Sequence, residues 1–430
     1  MKKTIVTLLL IFGCLSFMKA QTETLEERLF ELPDVIFTKI ETPVNYEAAY
    51  ELKIKQPLDH KNPAKGYFYQ RAYLSHKDFK LPTVMITEGY TANTNRIDEL
   101  AHFIDANQLR IEHRYFGKSN PAEIDYQYLN LEQVAADLHH INSLFRNLYP
   151  SKWVSTGRSK GGATTLFYRY FYPEDVDVSV NYVGPINTSF EEQRVYKFLD
   201  TVGTADCRAK IEKFQRHVLE HKAEILPLIK AYSIGAKASF TYQNIEKAFE
   251  FSVMEYPFSF WQYGSDCTLI PDDNASAFDS FVYLTSVADI TFFSDQTTID
   301  YASHYYQSAN EFGYYGYDTS KFKGLLDELP TDKNPHAAFT PNHMNVPFND
   351  KALKGLNAWL PKHGNKIVHI YGALDTWSAS AVPPSHKVDA LWFMMNGKHH
   401  GTANITEMTT SEREKLTKAL ERWLSIKIGN

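Results

Sequence analysis

Three polar side chains, far apart in this 430-residue chain, have the types and the order that acyl transfer needs. Ser159 lies in Gly157-Arg158-Ser159-Lys160-Gly161. Asp375 follows Tyr371-Gly372-Ala373-Leu374, and two histidines lie in Asn396-Gly397-Lys398-His399-His400-Gly401. A serine hydroxyl is a weak nucleophile at neutral pH. It needs an imidazole to take its proton and a carboxylate to orient that imidazole. In hydrolases whose serine occupies a strand-to-helix turn, the partners follow in the order Ser, Asp or Glu, His. Asp375 is therefore the expected acid. Adjacent loop residues point in different directions, so only one histidine should face Ser159. The Gly397-x-x-His400-Gly401 spacing favours His400, with His399 as the alternative base. Two histidines with no third ligand nearby make a poor zinc site.

The neighbours of Ser159 suit such a turn. Trp153-Val154-Ser155-Thr156 is short and apolar-leaning, as a buried strand is, and Gly161-Gly162-Ala163-Thr164 opens a run that can continue as a helix. The glycines permit a sharp turn and close strand–helix approach, which leaves the hydroxyl exposed at the top of a sheet. The oxyanion formed in acyl transfer needs two preorganised N–H donors. One is expected from the backbone of Lys160, directly after the serine. The other is expected from Gly89 or Tyr90, in the loop after an earlier strand. The Arg158 and Lys160 side chains read as structural.

Positioning these groups calls for a sheet. Residues 49–56 and 67–74 alternate about a turn at 62–66, giving a hairpin. Strands are expected at 82–87, 109–113, 153–156, 178–183, 366–372 and 390–395. The clearest helix spans 130–149, with apolar residues at steps of three or four, an Asn130/Gln133 capping box and Pro150 as a stop. A final amphipathic helix covers 411–424. This order predicts an α/β fold, a mostly parallel sheet with helices on both faces. From 188 to 360 the pattern turns helical and aromatic-rich, with runs at 211–232, 242–256 and 279–293. The economical division is a hydrolase domain in two parts, 21–187 and 361–430, interrupted by a helical cap at 188–360. A lid over the carboxyl ends of the strands would govern what enters.

Composition narrows the function class. Hydrophobic residues make up 43% and aromatic residues 14%, ample for a large core, and a net charge of −6 gives no reason to invoke nucleic acid. No membrane span is expected after the first twenty residues. Lys2-Lys3, an apolar run from Ile5 to Leu15 and Met18-Lys19-Ala20 read as a signal peptide over 1–20, so the chain should be exported to the periplasm or beyond. Lipoprotein anchoring through Cys14 is the alternative. Cys207 and Cys267 then remain, and in an exported protein they are expected to form one disulfide, two separate buried thiols being the other reading.

Several segments together resemble a known family. They are Thr87-Glu88-Gly89-Tyr90, Glu112-His113-Arg114-Tyr115-Phe116-Gly117, Ser155 to Gly162, and the stretch from Phe171-Tyr172-Pro173 to Val178. The chain is similar there to the secreted tripeptidyl (prolyl tri-/tetrapeptidyl) aminopeptidases, and more distantly to prolyl carboxypeptidase. The resemblance implies an α/β-hydrolase fold with a helical cap and a Ser159–Asp375–His400 triad without metal or organic cofactor. It also implies peptide substrates, with short peptides, often tripeptides, released from free N-termini and proline favoured before the cut. The rival readings are a small-ester esterase or lipase, and a catalytically silent surface binding protein.

An exopeptidase must measure from the substrate ammonium, which carboxylates in a closed cavity do best. Glu191 and Glu192, at the start of the cap, and Glu88 are the candidates. Glu112 and Arg114 read as a pair bracing a strand end. Phe258, Phe260 and Trp261 could line a proline-sized pocket.

Overall fold

The computed structural model describes residues 24–329 and 339–429; the expected signal segment, with Cys14, lies outside them. A nine-stranded sheet runs in the order β1-β2-β3-β5-β4-β6-β7-β8-β9. Its strands are β1 (Val35–Lys39), β2 (Ala48–Pro57), β3 (Tyr67–His76), β4 (Thr83–Thr87), β5 (Asn107–Ile111), β6 (Trp153–Arg158), β7 (Val178–Tyr182), β8 (Ile367–Gly372) and β9 (Leu391–Met395). The first three strands and β5 pair antiparallel; every pairing from β5 through β4 to β9 is parallel. The five parallel pairings make the α/β-hydrolase arrangement, with the hairpin β2–β3 extending one edge. Strands β4, β5, β6, β7 and β8 are buried almost along their full length, as strands covered on both faces must be.

Helices cover both faces. On one side lie α1 (Leu131–Arg146), α2 (Lys160–Phe171) and α7 (Lys351–His363). On the other lies α8 (Thr410–Leu424). Leu138, Ile141 and Phe145 of α1 join Leu52, Leu74 and Leu109 in one core cluster. Leu416, Leu420 and Trp423 of α8 join Val180, Val368 and Phe393 in another. Burial of each such large apolar side chain contributes about 1.5–3 kcal/mol. Helix α7 packs Leu353, Leu356 and Leu360 against Leu166 and Phe167 of α2, so residues 351–363 sit with the sheet layers.

Element ends differ from the sequence reading where tertiary contacts decide them. Asn130 caps α1 by accepting from Gln133 N at 3.0 Å. The Gln133 side chain does not complete a capping box; it reaches Asp59 and His60 on a neighbouring loop instead. β5 ends at Ile111, two residues early, because the Glu112 carboxylate is drawn into a loop. It accepts from Arg71 and from the N–H groups of Ala92 and Lys118. Arg114 grips Asp137 at 2.6 and 2.7 Å. Glu112 and Arg114 thus brace the sheet with separate partners rather than with each other.

The cap builds a core of its own. Helices α3 (Ala205–Glu220), α4 (Lys222–Gly235), α5 (Ile245–Tyr263) and α6 (Ala277–Val287) enclose Phe214, Val218, Ile229, Phe251, Tyr256 and Leu284. Cys207 at the start of α3 is disulfide-bonded to Cys267, just past α5. Closing a loop of this length contributes about 2–4 kcal/mol through the unfolded chain. Phe260 and Trp261 belong to this core.

Candidate active site

Ser159 sits between β6 and α2 with φ 56° and ψ −129°, a left-handed conformation strained for a non-glycine residue. The turn is tight enough to exclude side chains around it. A Cβ on Gly157 would lie 2.3 Å from the Gly161 carbonyl oxygen, and one on Gly161 would lie 2.5 Å from the Thr87 carbonyl oxygen. Ser159 N donates to Tyr182 O at 2.9 Å, and Ser159 O accepts from Ala163 N at 3.1 Å. The backbone is thereby locked, while the hydroxyl makes no hydrogen bond to a described residue and faces a cavity of about 530 Å³ that His400 also lines. In unliganded hydrolases the serine–histidine contact commonly tightens only when substrate binds.

The histidine pair divides its roles by direction. His400 Nδ1 lies 2.8 Å from Asp375 Oδ2, which leaves its Nε2 edge for the cavity. Asp375 is wholly buried, and its Oδ1 accepts from Trp377 N at 3.1 Å. Nearby the His399 ring lies against Gly264 at the end of α5, where an added methyl would meet it at 2.5 Å. His399 Nδ1 accepts from Gly401 N at 3.3 Å. Of the two, only His400 reaches both the acid and the cavity.

The expected oxyanion donors are also brought together. A Cβ on Gly89 would lie 2.5 Å from Lys160 Cβ, so the β4 loop touches the first turn of α2. The N–H groups of Tyr90 and Lys160 have no acceptor among the described residues. The Lys160 side chain is buried, donates to Gln307 Oε1 at 2.6 Å and lies over the rings of Tyr90 and Phe116. Burial holds its amine well below the ordinary lysine range.

Arg158 has more to do than its neighbours in sequence suggest. It donates to the carbonyl of His400 at 2.7 Å and to that of Ala403 at 3.4 Å, while stacking over Tyr182. It ties the base-bearing loop to the strand that carries the serine. Arg158→Met is expected to lower kcat on the order of 10- to 100-fold with a smaller change in KM, measured by steady-state kinetics on a peptide anilide, since small misplacements of a catalytic group cost rates of that size.

The carboxylates expected to meet a substrate amine are otherwise engaged. Glu192 is buried against Arg194, with Nε and Nη2 contacts of 2.8 and 2.7 Å. Glu88 accepts from Arg110 Nε at 2.6 Å. Glu191 takes the hydroxyl of Tyr196 and the amide of Gln193. None of the three lines the cavity, because each is satisfied by a neighbour on its own side of the fold. The carboxylates that do line it are Glu255 of α5 and Asp289. The aromatic wall differs too. Trp377, Tyr314 and Tyr315 face the cavity; Phe258 stacks behind Tyr315 at 3.8 Å between ring centroids.

Comparison with known proteins bears on this geometry. The profile of the PS-10 peptidase S37 family matches residues 19–428. A prolyl tri/tetrapeptidyl aminopeptidase of Streptomyces mobaraensis is 30% identical over 410 residues, covering 94% of this chain and 85% of its own. A putative serine protease of Caenorhabditis elegans is 25% identical over 39% of this chain and 37% of its own. Among solved structures, a proline iminopeptidase from Mycobacterium smegmatis aligns over 87% of this chain and 99% of its own, at 12% identity and TM-score 0.41.

Proposed function

Since the chain belongs to the S37 family of PS-10 peptidases, we propose that it is an exported serine exopeptidase that releases short peptides from free N-termini, with proline favoured before the cut. The reading is carried by one observation within that family frame. The His400–Asp375 pair, at 2.8 Å, opens on the same cavity as a serine held in a strained strand-to-helix turn.

The chemistry follows from the atoms. Ser159 Oγ attacks the carbonyl carbon of the scissile bond as His400 Nε2 takes its proton. Asp375 holds the Nδ1 tautomer and stabilises the imidazolium formed. The carbonyl oxygen, now an oxyanion, accepts from the N–H groups of Lys160 and Tyr90. The imidazolium returns the proton to the leaving amine, and the acyl-enzyme remains. Water then repeats the cycle, giving up its proton to His400 and freeing the N-terminal peptide. No helix among the described residues is long and apolar enough to cross a membrane. A free enzyme beyond the inner membrane, rather than a lipid-anchored one, is the form we favour.

Mass spectrometry of digests of a proline-containing peptide ladder tests this reading. Tripeptide-length products should appear from the free-amine ladder. The N-acetylated ladder should be cut at least about 100-fold more slowly, the scale on which a site rejects a substrate lacking a required polar group. Internal cleavage of both ladders at equal rates would rule out the exopeptidase reading.

A further inference from the structure

Glu255 is buried, at 6% exposure, yet its side chain borders the cavity shared by Ser159 and His400. Its Oε1 accepts from Ser259 at 3.0 Å, and its Oε2 accepts from Tyr317 at 2.8 Å and Tyr315 at 2.9 Å. Among the described residues no cation pairs with it. Other deeply buried carboxylates are treated differently. Glu112 has Arg71, Asp137 has Arg114, Glu192 has Arg194 and Glu250 has Lys222. Glu311 lacks a cation too, but it accepts the Leu131 N–H at the start of α1 and lies away from the cavity.

Hydroxyl donors orient a carboxylate without cancelling its charge. An anion buried this way loses solvation that three hydroxyls only partly replace. A positive charge can reach it from the cavity beside the serine, which Glu255 lines. Resting on the peptidase reading above, we propose that Glu255, held by Ser259, Tyr315 and Tyr317, is the anchor for the α-ammonium of the peptide substrate. The span between this carboxylate and Ser159 then sets how many residues are released. An N-acylated peptide brings no cation and leaves the acid unpaired, which excludes it.

The anchor carries a pH signature. Burial pushes Glu255 up to about 7, against the pull of its three hydroxyl donors. The titratable groups around it are the phenols of Tyr263, Tyr305 and Tyr314, all raised by burial, with Tyr90, Tyr301, the imidazoles of His304 and His400 and the carboxylate of Asp289 lining the same cavity. Peptide amines ordinarily titrate at about 7.7–8.0. Anchor and ammonium are therefore both charged between about pH 7 and 8. Below this window the protonated acid loses its hold on the substrate.

The test compares a free-amine tripeptide anilide ending in proline, its N-acetyl counterpart, and p-nitrophenyl acetate. For Glu255→Gln, kcat/KM on the free-amine anilide should fall about 100-fold, mostly through KM. Acetate-ester hydrolysis and fluorophosphonate labelling should stay within about twofold. The preference for free over acetylated amine should collapse, as should the rise of the anilide-to-ester ratio through pH 7. Tyr317→Phe, which keeps the shape and removes one donor, should lower only the free-amine rate, by several-fold. Equal losses on ester and anilide in both variants would reduce Glu255 to a structural acid and overturn the proposal. A free-amine preference that survives in Glu255→Gln would overturn it as well. A wild-type enzyme with no such preference would instead remove the exopeptidase reading itself.

Discussion

Ser159→Ala is expected to lower kcat for peptide hydrolysis by about 10,000- to 1,000,000-fold, the range seen when a triad serine is removed. Fluorophosphonate labelling should vanish with it. The change should leave the fold untouched, for two structural reasons. Alanine keeps the same Cβ, so the strain at φ 56° is unaltered. The lost hydroxyl supports no described neighbour, while the backbone bonds to Tyr182 and Ala163 remain. Thermal unfolding should therefore be nearly unchanged. An alanine variant that keeps even a tenth of wild-type activity would mean that another group attacks the substrate.

The second large effect separates two adjacent residues. His400→Ala should reduce kcat by about 10,000-fold or more, and Asp375→Asn by about the same, because the amide selects the wrong imidazole tautomer. His399→Ala should cost less than about tenfold, since its ring packs against Gly264 and bonds only within its own loop. Steady-state kinetics on one anilide substrate decides the matter. A large loss in His399→Ala with activity retained in His400→Ala would reverse the assignment of the base.

Much of this site was legible in one dimension. Gly157 and Gly161 flank Ser159 because the chain passes within contact distance of itself there, and such crowding leaves a composition that can be read. The chain order of Ser159, Asp375 and the histidines likewise follows from parallel strands delivering side chains at one edge. The Gly397-x-x-His400-Gly401 spacing points to His400 but not to the cause of its direction. Whether His399 or His400 turns inward depends on the path of a loop pinned by Arg158 and Gln262, both distant in sequence. The carboxylates misled for a related reason. Glu191-Glu192 looks available as a string, yet Arg194, two residues on, already neutralises Glu192. That arginine was a readable signal. Glu255 carried none: it stands in an aromatic helix, and its partners Tyr315 and Tyr317 lie some 60 residues away.

Two hydrogen bonds tie helix α5 of the cap to the catalytic loops. Gln262 O accepts from His400 N at 3.1 Å, and Phe258 O accepts from the Thr376 hydroxyl at 2.9 Å, beside Asp375. Both acceptors belong to α5, the helix that also carries Glu255. Swinging this roof away as a rigid body would break both bonds and disturb the relay beneath it. A roof moved off in this way would leave the loop bearing His400 without its backbone anchor on α5.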